Sequence, residues 1–163
     1  MRVHRTLLIL AIGGPLLVTL ATLLWPVTSG ADVSLSAQEP QQQEPISYIG
    51  NGRFLSNAVR VGNTIYLSGQ LGISGERGIT PETRATMENI KGLLEANDAT
   101  MDDVVKCTVF LADFSEWGAM NDVYTTFFPK HRPARSAVAV SGLAANARVE
   151  IECMAVIGAR NAS

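Results

Sequence analysis

The chain has 163 residues, of which 47% are hydrophobic and 17% are charged, and its formal net charge at pH 7 is −2. This length suits one globular domain with additional segments. The sequence contains neither a basic stripe nor an aromatic RNA-binding signature, which argues against a nucleic-acid partner and against RNA cleavage.

The N-terminal segment is predicted to be an export signal. Arg2 and Arg5 form a positively charged start, and residues 6–27 are almost wholly apolar. Small residues at 29–31 provide a site for a leader peptidase. The apolar stretch also approaches the roughly 20 residues that span a bilayer. Residues 1–31 are therefore either a cleaved signal peptide or a membrane anchor, and in both cases we expect a periplasmic, secreted or membrane-anchored domain outside the cytoplasm.

A Gln- and Pro-rich linker is predicted at residues 32–47, since this segment is polar and has no hydrophobic periodicity. The folded domain is predicted to span residues 48–160. It opens with two β-rich runs, residues 58–61 and 64–71, separated by a Gly-Asn pair. This pattern predicts a β-hairpin.

The first predicted helix begins at Thr80 as the N-cap and ends near Asn97. Pro81 fits the first helical position. The apolar residues that repeat at helical spacing are Met87, Ile90 and Leu94.

The second half of the domain is predicted as strand, helix, strand and strand. A β-rich run at residues 104–112 is followed by a helix that Ser115 caps, with an apolar stripe and a stop at Pro129. The stripe consists of Met120, Val123, Tyr124 and Phe127. The last two strands are predicted at residues 134–140 and 147–157.

The resulting order β-β-α-β-α-β-β predicts an α+β fold with both helices on one face of a sheet. No predicted element remains to cover the other face. We therefore expect the domain to oligomerise through that face.

The two cysteines of the chain, Cys107 and Cys153, show no CxxC spacing and have no nearby histidine, so we expect no metal site. Two interpretations remain. They are buried small hydrophobic residues on strands, or they form a disulfide, which an exported protein permits.

The last two predicted strands are taken as neighbours, and each carries one ionisable side chain into a half-buried zone. These are Arg135, on the same side as Ala137 and Ala139, and Glu152. They could form an ion pair that fixes strand register or a subunit interface. Alternatively, Arg135 grips a carboxylate ligand through two parallel hydrogen bonds, and Glu152 holds a water molecule. The pattern alone leaves both alternatives open.

Residues 54–157 resemble the YjgF/RidA family of imine and enamine deaminases. The matching segments are VGNTIYLSGQ (61–70), VVKCTVFLAD (104–113), NDVYTTFF (121–128), RPARSAVAV (132–140) and VEIECMAV (149–156). The resemblance implies a chorismate-mutase-like fold that assembles as a homotrimer. In that assembly the sheets form a central barrel, and three clefts lie between subunits.

The resemblance also implies roles for individual residues. Arg135 matches the arginine that holds the substrate carboxylate, and Glu152 matches the glutamate that positions or activates water. The segment with Ser68 and Gly69 matches a stretch that lines the same cleft, and Asn121 matches an asparagine near the pocket.

Three departures from the family pattern concern the cleft and the location. Ala137 stands where well-known members have a cysteine, so a backbone contact to substrate would survive and a thiol role would not. Leu55 stands where they have a pocket aromatic residue. Those members are mostly cytosolic, whereas this chain begins with a predicted leader.

The function implied by the resemblance is hydrolytic deamination of 2-enamino and 2-imino acids to 2-oxo acids and ammonia. It requires no cofactor, since the imine carbon is already electrophilic. The alternative function is a non-catalytic trimer in the cell envelope that binds small carboxylates or a protein partner.

Overall fold

A computed structural model describes residues 44–50, 52–73 and 75–158. The predicted leader and most of the predicted linker lie outside the described residues, so their assignments stay predictions. In the part of the chain that the structure describes, neither helix is long and apolar enough to cross a membrane.

The described elements follow the predicted α+β order, with two additional short strands. The strands are β1 (Ile46–Ile49), β2 (Ala58–Val61), β3 (Thr64–Leu67), β4 (Gln70–Leu71), β5 (Val104–Leu111), β6 (Ala134–Ala139) and β7 (Val149–Val156), and the helices are α1 (Ile79–Glu95) and α2 (Trp117–Tyr124). β1 begins inside the predicted linker and pairs with β2. The second predicted strand separates into β3 and β4.

All strands belong to one mixed sheet with the order β1-β2-β3-β7-β5-β6, and β4 also pairs with β7. β5 and β6 are parallel, and the other pairs are antiparallel. A parallel pair needs a crossover connection, which α2 provides here. β6 therefore lies at one edge of the sheet and β1 at the other.

The hydrophobic core lies on one face of the sheet, under both helices, as predicted. Its largest fully buried side chains include Ile65, Met87, Ile90, Leu94, Val109, Leu111, Met120, Val149 and Ile151. The opposite face, which we call the open face, has no covering element among the described residues. Tyr66 and Glu152 are exposed on it, and Met154 is half-buried.

Both helices begin at residues other than those predicted. Near each start, a carboxylate accepts a backbone N–H that has no partner within the helix. α1 starts after Gly78, whose φ of 118° suits glycine. The Gly78 N–H donates to Glu82 Oε1 (3.1 Å), and Thr80 makes no cap. α2 starts after Glu116, which makes no side-chain cap. Asp113 caps the short 3-10 turn Phe114–Glu116 ahead of it by accepting from the N–H of Ser115 (2.9 Å), so Ser115 caps neither.

A buried carboxylate fixes the start of β7. Glu82 is fully buried, and its Oε2 accepts the N–H of Arg148 at 2.7 Å. Its Oε1 lies 2.9 Å from Nε of Arg77. The guanidinium of Arg148 then pairs with Glu116 at 2.7 Å, and this hydrogen bond raises the pKa of Arg148. The start of β7 is thereby tied to the first turns of both helices.

The two cysteines are bonded to each other. Cys107 on β5 lies directly opposite Cys153 on β7, and their Cα atoms are 4.1 Å apart. Both are buried. The structure therefore selects the disulfide from the two alternatives that the sequence left open.

Candidate active site

Arg135 points to the helix-covered side of the sheet. It lies in register with the buried Cys107 of β5, and parallel partners share a face. Its guanidinium carbon lies 4.6 Å from the ring centroid of Tyr124 and 6.0 Å from that of Trp117. These distances are within the range of cation–π attraction. The side chain is half-buried at the edge of the sheet.

Two further predicted site residues lie beside this arginine. Trp117, Asn121 and Tyr124 share one face of α2, because they are four and three residues apart. Asn121 therefore lies between the two rings along the helix. On β6, Ala137 faces the same side as Arg135 and packs against the core. We call Arg135, Trp117, Asn121 and Tyr124 the arginine cradle.

The cradle holds its charge without a counter-charge from the described residues. The ion pairs found there do not involve Arg135. The Tyr124 hydroxyl is buried and has no hydrogen-bond partner in the described structure. Burial raises the pKa of Tyr124 to about 12, although Arg135 acts in the opposite direction. The tyrosine is therefore neutral at physiological pH, and the guanidinium is free to bind an anion.

Glu152 does not lie near Arg135 within the chain. It is opposite Thr108 on the open face, and its side chain is exposed rather than half-buried. The expectation that the last two strands are neighbours is wrong, because β5 separates β6 from β7. A shallow depression of about 170 Å³ surrounds Glu152. It is lined by Tyr66, Leu67, Lys106, Cys107, Thr108, Glu152, Cys153 and Met154.

The predicted site residues of the N-terminal half lie together at and before the junction of β3 and β4, next to β7. The hydroxyl of Ser68 donates to the carbonyl oxygen of Ser56 (2.7 Å), and this bond holds the chain next to Leu55. Gly69 packs directly against Glu150, since a Cβ at this glycine would collide with the Glu150 carboxylate. We call Leu55, Ser68, Gly69 and Glu150 the glycine corner.

Glu150 is a candidate that the sequence did not reveal. It shares the open face with Glu152, as strand alternation requires, but it is half-buried and contacts a predicted cleft residue. Gly69 in the segment Ser68-Gly69-Gln70 could have indicated a neighbouring side chain, because glycine in a strand region often marks a close approach by another group.

The cradle and the corner are too far apart to bind one small molecule within a single chain. Gly69 lies between β3 and β4, which both pair with β7, and β5 separates β7 from β6. From β3 to β6, three strand spacings amount to about 14 Å, while Glu150 on β7 is two spacings from β6 and faces the opposite side of the sheet from Arg135. Within the described ranges no cluster of His, Cys, Asp and Glu could hold a metal ion.

A family model described as "Endoribonuclease L-PSP" matches residues 49–157, which include the cradle and the corner. The chain belongs to this family. The chain is similar to the solved structure of RidA from an Antarctic Psychrobacter species, with 36% sequence identity and a TM-score of 0.63. That alignment covers 68% of this chain and 94% of the RidA chain. The resemblance to the YjgF/RidA family is thus confirmed.

Curated members of the family match a shorter part of the chain. A 2-iminobutanoate/2-iminopropanoate deaminase of Dermatophagoides farinae is 46% identical over 76 residues, and a RutC family protein of Pyrococcus horikoshii is 45% identical over 74. These alignments cover 47% and 45% of this chain. The chain spans 59% of the length of each of these relatives.

Proposed function

We propose that the domain hydrolyses 2-imino acids, and their 2-enamino tautomers, to 2-oxo acids and ammonia. The observation that carries this proposal is the half-buried guanidinium of Arg135, which lies against two aromatic rings without a counter-charge from the described residues. Relatives from Dermatophagoides farinae and Mus musculus that are named 2-iminobutanoate/2-iminopropanoate deaminase support it. The net charge of −2 does not favour RNA as a substrate.

Arg135 is proposed to bind the substrate carboxylate. Its planar fork can donate two parallel hydrogen bonds to both carboxylate oxygens. The rings of Trp117 and Tyr124 restrict the guanidinium, so that less freedom is lost on binding. The Asn121 amide, on the same face of α2, and the backbone of Ala137, two residues along β6, are proposed to orient the same group.

The reaction needs water, one proton carrier and no cofactor. Water adds to C2 of the protonated imine, and a carboxylate accepts the proton that this oxygen releases. The resulting carbinolamine gains that proton on nitrogen, the C–N bond breaks, and ammonia leaves. The hydroxyl then loses its proton to give the 2-oxo acid. Nothing is oxidised or reduced, and catalysis depends on positioning and proton transfer.

Two carboxylates are candidates for the proton carrier. We favour Glu150, because it is half-buried against Gly69 in the glycine corner. Glu152, which the resemblance indicates, is the alternative and lies two residues further along the open face.

Matched variants separate these two carboxylates. Glu150→Gln should lower kcat by about a hundredfold, since general acid–base catalysis contributes at least this much, whereas Glu152→Gln should have a small effect. The reverse ranking would assign the role to Glu152.

We further propose that the active clefts lie between subunits of a homotrimer, with the cradle from one copy and the corner from the next. The separation of about 14 Å within one chain supports this arrangement. The outer edge of β6 and the open face, with Val138 and Tyr66 exposed, are available for association.

Export to an oxidising compartment is proposed as well. The predicted leader supports it, and so does the Cys107–Cys153 disulfide, because such bonds persist mainly outside the cytosol. The leader's fate, cleaved or retained as an anchor, does not change the proposed reaction.

The test is 2-oxo acid formation from 2-iminopropionate generated in the assay. Wild type should accelerate it, and Arg135→Ala should lose about a thousandfold in kcat/KM while keeping its oligomeric state, because an unpaired carboxylate loses a strong charged contact. A folded wild-type trimer that binds 2-oxo acids without accelerating hydrolysis would instead indicate the non-catalytic binding function. Loss of assembly in Arg135→Ala would indicate a structural role for the arginine.

A further inference from the structure

Two large aromatic side chains are exposed beside the arginine cradle. Phe114 is 52% exposed and Trp117 is 42% exposed. Their rings stack with centroids 6.4 Å apart and planes inclined by 28°. A contiguous exposed apolar patch often marks a binding surface, whereas a single exposed apolar residue does not.

The turn that carries these rings is held firmly by polar contacts. Asp113 Oδ1 accepts from both the N–H and the hydroxyl of Ser115, at 2.9 and 2.7 Å. Glu116 Oε2 accepts from Nε of Arg148 at 2.9 Å, which ties the turn to the start of β7. The aromatic pair is therefore prepositioned, and a ligand that contacts it need not order the turn.

The pair lies next to the guanidinium that is proposed to bind the carboxylate. The ring of Trp117 is 6.0 Å from the guanidinium carbon, and the ring of Phe114 is the next one outward. A carboxylate carbon bound by both arginine N–H groups lies roughly 4 Å from the guanidinium carbon. C3 of the same molecule lies two bonds beyond the carboxylate carbon, so a large substituent on C3 is long enough to reach the aromatic pair.

We propose that Phe114 and Trp117 form a subsite for the substrate side chain and favour 2-imino acids with large apolar or aromatic side chains over 2-iminopropionate. This inference rests on the proposed deamination. Contact with two aromatic rings should raise kcat/KM for a benzyl side chain relative to a methyl side chain by about tenfold, the lower end of the discrimination of apolar pockets.

The experiment compares imino acids that an amino-acid oxidase generates from alanine, leucine and phenylalanine. We expect kcat/KM to rise in this order for wild type. Phe114→Ala should lower the benzyl-to-methyl ratio about tenfold, and Phe114→Leu, which keeps apolar volume, should restore part of it. The matched control is Tyr48→Ala, which removes another exposed ring (72% exposed) from the opposite edge of the sheet and should leave the ratio unchanged.

Direct binding separates failure of the subsite from failure of the deaminase. Phenylpyruvate should bind more tightly than pyruvate, and Phe114→Ala should remove the difference in a calorimetric titration. If hydrolysis is absent but this difference holds, the subsite stands and the deaminase proposal falls. If hydrolysis occurs with no preference, or if Phe114→Ala changes the oligomeric state instead of the ratio, the subsite is refuted.

Discussion

The arginine cradle and the glycine corner use different parts of the chain. The cradle is built from side chains on α2 and β6, with one cation held against two rings. The corner depends on close approach to the backbone: the Ser68 hydroxyl donates to the Ser56 carbonyl, and the Glu150 carboxylate lies against Gly69, which has no side chain. The cradle suits recognition of a negative charge, and the corner suits close approach of a carboxylate to small atoms. Each lacks what the other provides, which favours one site shared between copies.

Between the two regions lies β5, which the disulfide joins to β7, the strand that carries Glu150. Replacing Cys107 and Cys153 together by alanine should lower the free energy of unfolding by about 4 kcal/mol, according to the chain-entropy model for a loop of 46 residues. Denaturant unfolding of the oxidised protein would measure this loss. Reduction of wild type should produce a similar loss, whereas unchanged midpoints in both samples would mean that the bond does not stabilise the sheet.

Alkaline pH should destabilise the cradle through Tyr124. Its pKa rises from 10.0 to about 12 on folding, so the folded state holds this proton more tightly than the unfolded state. The associated stability is fully present below pH 10 and is lost as the pH rises to 12. The loss should be about 2–3 kcal/mol. The free energies of unfolding of wild type and Tyr124→Phe should therefore separate across this range, because only wild type loses stability through this group, and parallel pH profiles would contradict the assignment.

The corner can be disturbed by a single methyl group. In Gly69→Ala the new Cβ collides with the movable end of Glu150, so the carboxylate should swing away at little cost in stability. We expect about a tenfold loss of kcat, because the proton carrier is displaced. The control is Gly75→Ala, where nothing lies within 4 Å of an added Cβ. Equal activity of the two variants would remove Glu150 and Gly69 from the site.

The fold was largely predictable because its long elements have clear periodicity. The stripe of Met87, Ile90 and Leu94 identified α1, and the alternation of β7 identified its buried face. β1 was not predictable, since its side chains are mostly exposed and it is held mainly by pairing with β2. The start of α1 was misplaced because Glu82, rather than Thr80, binds the backbone N–H at the helix start. The start of α2 was misplaced because a short turn capped by Asp113 precedes it.

The candidate site was predictable only in part. Alternation assigned Arg135 to one face of its strand, but it could not show that β5 lies between β6 and β7. The sequence also did not show that β5 pairs with β7, so it could not predict that Cys107 lies opposite Cys153. Glu150 and Glu152 share a face, so only the contact with Gly69 distinguishes them.

Complementation between two inactive variants tests the shared site most directly. Arg135→Ala destroys the cradle and Glu150→Gln destroys the corner, so each trimer alone should be nearly inactive. When both chains are co-expressed, random assembly should restore about a quarter of the wild-type activity, since one cleft in four receives an intact cradle and an intact corner. Mixed trimers without any recovered activity would contradict the account, because they would mean that both residues act within the same chain.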